Sequence, residues 1–293
     1  MSKRPHIRFI INPKSGPKSK VDVAARIKLH LDHSKFDHDI VYTAYAGHAP
    51  ELAKQAAEEG CAVVVAVGGD GTVNEVARGL LHTEAAMGII PRGSGNGLAR
   101  HLQVPLTVDG SIRFLNEGHR SKIDSGEING HPFFTTAGIG FDAYISSVFA
   151  GSKTRGLKTY VELILKEVIN YRHLPVKATI NGKTIDTDLF VMAFANAAQY
   201  GNNAYIAPMA DIRDGMLDVC LVRKLDMLKA LQLSYAMMSN KPAGADSAEY
   251  FKTEAVEVVT DHELMHHADG EYLGKATRFE VRIVPQSLYV VAP

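Results

Sequence analysis

An apolar run, Val63–Val67, ends on Gly68-Gly69-Asp70-Gly71-Thr72, after which Val73, Val76 and Leu80 fall on one face of a helix. Glycines at the end of a strand adopt backbone angles closed to other residues and let N–H groups approach an anion. A helix starting there adds the positive end of its dipole. These residue types suit a phosphate. Asp70, inside an anion site, needs a task of its own: holding Mg2+ that accompanies phosphates, or taking a proton from a hydroxyl. A second turn of this kind, Pro91-Arg92-Gly93-Ser94-Gly95-Asn96-Gly97, follows the apolar run Met87–Ile90 and offers Arg92, Ser94 and Asn96 as polar groups. A third, Asn12-Pro13-Lys14-Ser15-Gly16, follows RFII, with Lys14, Lys18 and Lys20 beside it. One such turn would be read as structural. Three at the strand ends of one sheet are read as a nucleotide site.

The elements that position these turns alternate. Strands are expected at 8–12, 38–44, 61–67 and 87–91. Helices are expected from Val23, from Pro50 to Gly60, over 72–81 and over 95–102. That spacing predicts a doubly wound, mostly parallel α/β sheet. The pattern changes near residue 120. Asn129-Gly130 and Asn181-Gly182 are hairpin signals, and VCLVRK, AVEVVT, RFEVRIV and LYVV are β-branched. Helices at about 153–172 and 226–239 interrupt them. The second part is therefore expected to be an antiparallel, β-rich sandwich. The expected division is 1–125 for a nucleotide-binding domain and 126–293 for a β-rich substrate domain, the last few residues returning to the first.

Composition excludes several classes. The 293 residues are 46% hydrophobic and 22% charged with zero formal net charge, as in a soluble globular protein. Basic and aromatic residues do not interleave, which speaks against nucleic acid. No run reaches the ~18 apolar residues of a membrane span, and MSKRPHIRFIINP is no signal peptide, so a cytoplasmic location is expected. Cys61 and Cys220 sit in apolar runs and read as buried strand residues. Charge is unevenly spread: residues 1–28 hold eight Lys or Arg against one Asp, and residues 246–271 hold eight acids against one Lys. The P-loop pattern GxxxxGK[ST], a complete GxGxxG and the protein-kinase motif set are all absent.

GGDGTVNEV (68–76) followed by PRGSGNGLAR (91–100) resembles the catalytic domain of the diacylglycerol kinase and sphingosine kinase superfamily, and more closely its bacterial soluble lipid kinases. NPKSG (12–16), Thr43 with Gly47-His48-Ala49, KIDSGEING with Asp124, AGIGFDA (137–143), RDGMLDV (213–219) and Asp269-Gly270-Glu271 are similar to further pieces, in family order. The resemblance implies ATP- and Mg2+-dependent phosphorylation of a lipid hydroxyl, with the active site between two domains. It implies that Asn12, Pro13, Ser15, Gly16, Thr43, Gly68, Gly69, Asp70, Gly71, Thr72, Asn74, Glu75, Arg92, Gly93, Ser94 and Asn96 hold the nucleotide. Asp70 and Asp124 would sit at the catalytic metal, and a structural metal would lie on Asp214, the Met216 carbonyl and Asp218. Glu271 is the candidate base, with Asp70 as rival. One departure puts diacylglycerol in doubt as the acceptor: Gly97 stands where bacterial diacylglycerol kinases usually carry an aspartate.

Three other readings follow. HELMH (262–266) fits the zinc-protease HExxH, but that motif requires a helix and this segment reads as strand, turn, strand. His262, His266 and His267 are accordingly expected to be exposed or to line a cleft. An NAD-kinase-like enzyme, or a silent nucleotide- or lipid-binding regulator, is the alternative function. The substrate implies peripheral membrane contact, expected over Tyr144–Lys158, where Val148 and Phe149 precede Lys153, Arg155 and Lys158. A homodimer is compatible with the sequence.

Overall fold

The structure, a computed structural model, describes residues 4–16, 22–150, 166–168, 171–223, 227–244 and 247–293. The chain divides into two compact units, residues 1–123 with 286–293, and residues 124–285. In chain order the first unit contains β1 (His6–Ile11), α1 (Val23–His30), β2 (Asp37–Tyr42), α2 (Ala49–Glu58), β3 (Val63–Gly68), α3 (Asp70–Leu80), β4 (Ala86–Pro91), α4 (Gly97–His101) and α5 (Val108–Glu117). The chain leaves it within β5 (His119–Ile128). The second unit adds β6 (His131–Phe133), β7 (Thr136–Gly140), α6 (Phe141–Ala150), β8 (Leu174–Ile180), β9 (Lys183–Leu189) and β10 (Val191–Ala195). It continues with β11 (Gln199–Gly201), β12 (Ala204–Tyr205), β13 (Leu217–Val222), α7 (Met227–Met238), β14 (Glu249–Thr253) and β15 (Ala255–Ala268). β16 (Glu271–Ala292) brings the chain back.

β2, β1, β3 and β4 are neighbours in that order and all parallel, and Val290 at the end of β16 pairs parallel with Met87 on the outer side of β4. The strand–helix alternation forces this arrangement, because a parallel neighbour needs a crossover. Val64–Val67 are buried, as a strand covered on both faces requires. Val65 and Val67 pack with Phe9, Ile27, Ile90 and Ile112. α1 starts where the Asp22 side chain accepts the N–H of Ala25, and α5 where Thr107 accepts that of Gly110.

The second unit is antiparallel, in the order β14–β13–β10–β7–β15–β16, with β8 and β9 attached to β15. Met192 and Phe194 of β10 face one core with Phe133, Ile139 and Phe279, while Ala193 and Ala195 face another with Phe141, Ile145 and Cys220. Among the described residues four two-residue turns have both φ angles positive: Asn129-Gly130 (47°, 81°), Asn181-Gly182 (52°, 74°), Asn202-Asn203 (52°, 60°) and Asp269-Gly270 (47°, 79°). Glycine and Asx tolerate these angles, which match the twist of a hairpin.

One expectation needs correction. HELMH lies inside β15, which runs unbroken to Ala268 with a shift of register after Val259. The turn comes later, at Asp269-Gly270. α6 falls on FDAYISSVFA, which has no polar face to reveal a helical period. The helix expected at 153–172 lies almost wholly outside the described residues. Among the described residues no helix is long and apolar enough to cross a membrane.

Candidate functional site

The carboxyl ends of β1, β3 and β4 are level. Ile11 pairs with Val67 and Gly68 with Pro91, so the three glycine-bearing turns leave one sheet edge side by side. Backbone bonds hold them there: Asn12 N–H donates to Val67 O (3.1 Å) and Arg92 N–H to Gly68 O (2.7 Å). The helix begins earlier than the pattern suggests. Gly69 takes the N-cap position in extended backbone, so Asp70, Gly71 and Thr72 form the first turn of α3. Helix geometry gives the N–H groups of that turn no acceptor within the helix. A Cβ on Gly71 would meet nothing within 4 Å, so the space beside this helix start is open.

Asp70 has a structural task that its residue type did not reveal. Its Oδ2 accepts the N–H of Asn96 (2.9 Å) and its Oδ1 the N–H of Gly97 (2.7 Å). The carboxylate clamps the second glycine turn onto the first. Each oxygen keeps lone-pair capacity for a further partner. Asn96, at φ 52°, closes the second turn itself: Oδ1 accepts Gly93 N–H and Nδ2 donates to Gly93 O, both at 2.9 Å. The glycines are needed for this proximity. A Cβ on Gly95 would lie 2.8 Å from Asp70 Oδ2, and one on Gly93 2.8 Å from the Cα of Gly69. Ser94 is exposed at the tip.

The first turn joins the same cluster. Asn12 Nδ2 donates to Thr72 Oγ1 (3.1 Å), while its Oδ1 accepts Lys14 N–H (3.0 Å) and its carbonyl accepts the Ser15 hydroxyl (2.8 Å). Pro13 and Lys14 are exposed. Gly16, at φ 97°, lies against the Arg92 guanidinium, where a Cβ would come 2.8 Å from Nε. Thr43 N–H donates to Ile11 O (3.0 Å), and Glu75 on α3 accepts Gly47 N–H (3.1 Å), so Glu75 anchors the loop that follows Thr43. Asn74 is buried on α3. Sixteen nucleotide-binding candidates thus fall on one edge of the first unit or on the helix and loop adjoining it.

Asp124, Asp214, Met216, Asp218 and Glu271 belong to the second unit. Asp124 is buried; its Oδ2 accepts Gly215 N–H (2.8 Å), which joins it to the RDGMLD segment. Asp214 Oδ1 accepts Met216 N–H (3.0 Å), and Asp214 Oδ2 lies 2.6 Å from the Lys252 ammonium. Lys252 faces Asp218 across β13 and β14, 3.9 Å from its Oδ2. Burial pushes the Asp218 carboxyl above its ordinary range, against the pull of Lys252. The cation between these two acids is therefore a lysine. A structural divalent ion on Asp214 and Asp218 does not fit beside that ammonium. Among the described residues no group of three or more His, Cys, Asp or Glu side chains is arranged to hold a metal ion.

Glu271 is exposed, directly after the Asp269-Gly270 turn and paired with Ala268. The turn is pinned by Asp269, which accepts the N–H groups of Phe134 (2.8 Å), Thr135 (2.8 Å) and Thr136 (3.1 Å) and the Thr135 hydroxyl. Asp269 was not among the candidates; its place as the Asp of an Asp-Gly hairpin was the available signal. His266 and His267 are buried, at 5% and 2% exposure, rather than exposed or lining a cleft. Period 2 within β15 turns them to the two covered faces. Burial pushes the His266 imidazole pKa down. Cys61 and Cys220 are buried and free, and burial raises the Cys220 thiol to about 12, far from a reactive thiolate.

The chain resembles known proteins along most of its length. Residues 6–128 match the family described as diacylglycerol kinase catalytic domain, and residues 135–292 match the YegS C-terminal NAD kinase beta sandwich-like domain. The chain is 31% identical over 84% of its length to a protein of Chromohalobacter salexigens named "probable lipid kinase YegS-like", covering 81% of it. It is 27% identical to a diacylglycerol kinase of Bacillus subtilis, over 91% of this chain and 90% of that one. For one of Mycobacterium tuberculosis the identity is 29%, over 98% and 95%. A crystal structure of a diacylglycerol kinase from Bacillus anthracis superposes with a TM-score of 0.76 at 21% identity, covering 100% of this chain and 98% of that one. The likeness to that structure concerns the fold.

Proposed function

The chain belongs to the lipid kinase family defined by the diacylglycerol kinase catalytic domain, and from that premise we propose that it transfers the γ-phosphate of ATP to a hydroxyl of a membrane lipid. The observation that carries this reading is the clamped edge of the first unit. Three level strand ends supply closely packed glycine turns, and a helix start opens beside Gly71. Phosphoryl transfer asks mainly for positioning and for neutralisation of charge. The N–H groups of Gly71 and Thr72, with Gly93, Ser94 and the Asn12–Gly16 turn, receive the phosphates in this reading. Gly68 and Gly69 let the turns meet. Thr43, Asn74, Glu75 and Arg92 complete the nucleotide side.

Mg2+ bound with ATP would neutralise phosphate charge. It usually keeps several waters and takes one or two carboxylates; Asp70, whose oxygens keep lone pairs beyond their backbone bonds, would supply one on the first unit, and Asp124, buried in the second, is the further candidate. Glu271 is the base for the acceptor hydroxyl: it is exposed, acidic and held on a pinned turn. The first unit would serve the nucleotide and the second the lipid. Diacylglycerol and sphingoid-type lipids both offer a primary hydroxyl beside apolar chains, and Gly97, whose N–H binds Asp70, leaves open which is used. Meeting the lipid requires peripheral membrane contact; of the segment Tyr144–Lys158, residues from 151 onward lie outside the described ones.

The test is transfer of labelled phosphate from ATP and Mg2+ to diacylglycerol, sphingosine, ceramide and monoacylglycerol in mixed micelles, beside Asp70→Asn and Glu271→Gln. Label on one lipid, lost in both variants, is the expected result. ATP binding without label on any lipid would overturn the kinase reading and point to a nucleotide-binding regulator.

A further inference from the structure

A buried polar chain lies directly behind the turn that carries Glu271. His267, 2% exposed, brings Nε2 to 3.1 Å from Asp142 Oδ2, and the Tyr200 hydroxyl donates to the same oxygen at 3.1 Å. Asp142, 7% exposed, sits in the first turn of α6, where its Oδ1 accepts Ala143 N–H at 2.7 Å. The other imidazole nitrogen, Nδ1, accepts the N–H of Gly270 at 3.3 Å. An imidazole that accepts through Nδ1 and faces a carboxylate through Nε2 carries its single proton on Nε2. The arrangement looks like a catalytic His–Asp pair, but its outward nitrogen is taken up by a backbone amide. It has no nitrogen left for a substrate.

Space for it is built in. Gly138 pairs with His267 across β7 and β15, and a Cβ there would lie 2.0 Å from Asp142 Oδ2 and 2.9 Å from His267 Nε2. Turn residue Gly270 is thus held from one side by His267, while its neighbour Asp269 is held from the other by Phe134, Thr135 and Thr136. We propose that Tyr200, Asp142 and His267 are positioning residues that fix the Gly270 amide and so the backbone from which Glu271 projects. This rests on the reading of Glu271 as the base, and it assigns a task to the last histidine of the stretch that contains HELMH.

The experiment uses two isosteric half-replacements. Asparagine places an oxygen near Nδ1, and glutamine a nitrogen near Nε2. His267→Asn should keep the Gly270 bond and lose Asp142, whereas His267→Gln should do the reverse. Amide hydrogen exchange at Gly270 and Glu271 reads the turn directly and needs no substrate. Exchange should rise about tenfold in His267→Gln, the factor carried by one net hydrogen bond, and much less in His267→Asn. Equal exchange in wild type and both variants overturns the proposal. Transfer from ATP–Mg2+ to dioctanoylglycerol in micelles reads the consequence. His267→Gln should lower kcat with the KM for ATP unchanged, and should cost nothing more when added to Glu271→Gln. Additive losses would show that His267 does not act through Glu271. Full activity in Glu271→Gln alone would instead remove the base reading, while the exchange result would still decide the positioning of the turn. If His267→Gln fails to fold, Tyr200→Phe, which removes one donor to Asp142, gives the same readout on a smaller scale.

Discussion

Two aspartates in two units do the same work by different means. Asp70 sits at a helix start in the first unit and gathers two N–H groups from a turn 26 and 27 residues away. Asp269 sits in a hairpin in the second and gathers three N–H groups and a hydroxyl from a segment 133 to 135 residues away. Asp70 borders open space beside Gly71 and keeps room for a ligand. Asp269 is the more heavily bonded, and it leaves the exposed carboxylate to the next residue but one. The comparison teaches that a carboxylate in a functional motif can act first as a clamp. Its chemistry toward substrate is decided by the capacity left over, which is larger at Asp70 than at Asp269.

The sharpest way to break the comparison is Asp269→Ala. It would leave three backbone donors without their acceptor, at a cost of about 3 kcal/mol or more. Thermal unfolding should show a fall of roughly 10 °C for a unit of this size, with transfer activity abolished. A fall of a degree or two would show that the turn stands without its clamp. Asp70→Asn removes one acceptor and the charge that strengthens both bonds, worth about 1.5–3 kcal/mol. Calorimetric titration with ATP should weaken ten- to a hundredfold, in EDTA as well as in Mg2+. Weakening confined to Mg2+ would make Asp70 a metal ligand and no clamp.

Gly95→Ala presses a methyl group on Asp70 Oδ2 without touching its charge. About 1–2 kcal/mol of strain follows, so the melting temperature should fall by about 3–6 °C, and ATP affinity should fall by about tenfold. The smallest effect concerns another pair of acids, Asp214 and Asp218. Lys252→Met should cost about 1 kcal/mol at pH 7, because Lys252 is 44% exposed and the pair is screened. Wild type should melt at the same temperature with and without EDTA, whereas Lys252→Met should gain stability from millimolar Mg2+. The sign with pH is fixed by Asp218, whose carboxyl burial holds above its ordinary range. Such a group favours the fold on the acid side and opposes it as pH rises through its folded value. The deficit of Lys252→Met should therefore shrink between pH 7 and pH 4.5. A wild type that EDTA destabilises would restore the divalent ion and displace the lysine.

The strand–turn–helix pieces were legible because each is written within some ten residues. Val63–Val67, the glycines after them and the period of Val73, Val76 and Leu80 specify one strand end and one helix start without help from elsewhere. The Asn-Gly turns were legible for the same reason. What escaped was long-range. Nothing near Asp70 names Gly97, nothing near Asp269 names Thr135, and Asp142 lies 125 residues from His267. The buried histidines were misread because HELMH invites a local reading, while their burial is set by strands paired to β15 on both sides. Lys252 escaped since a cross-strand partner of Asp218 is visible only once register is known.

The end of β16 has a consequence for how the protein is made. Residues 286–293 belong to the first unit; Leu288 and Val290 are fully buried there, and Arg120 stacks on the ring of Tyr289 at 3.3 Å. A ribosome emits residues 1–123 long before these, yet the outer side of β4 stays uncovered until they arrive. Through most of its synthesis the nascent first unit therefore presents an open strand edge to its surroundings. Completion of the nucleotide half waits on residues 286–293, so a message cut before codon 286 would damage the part of the protein that was translated first.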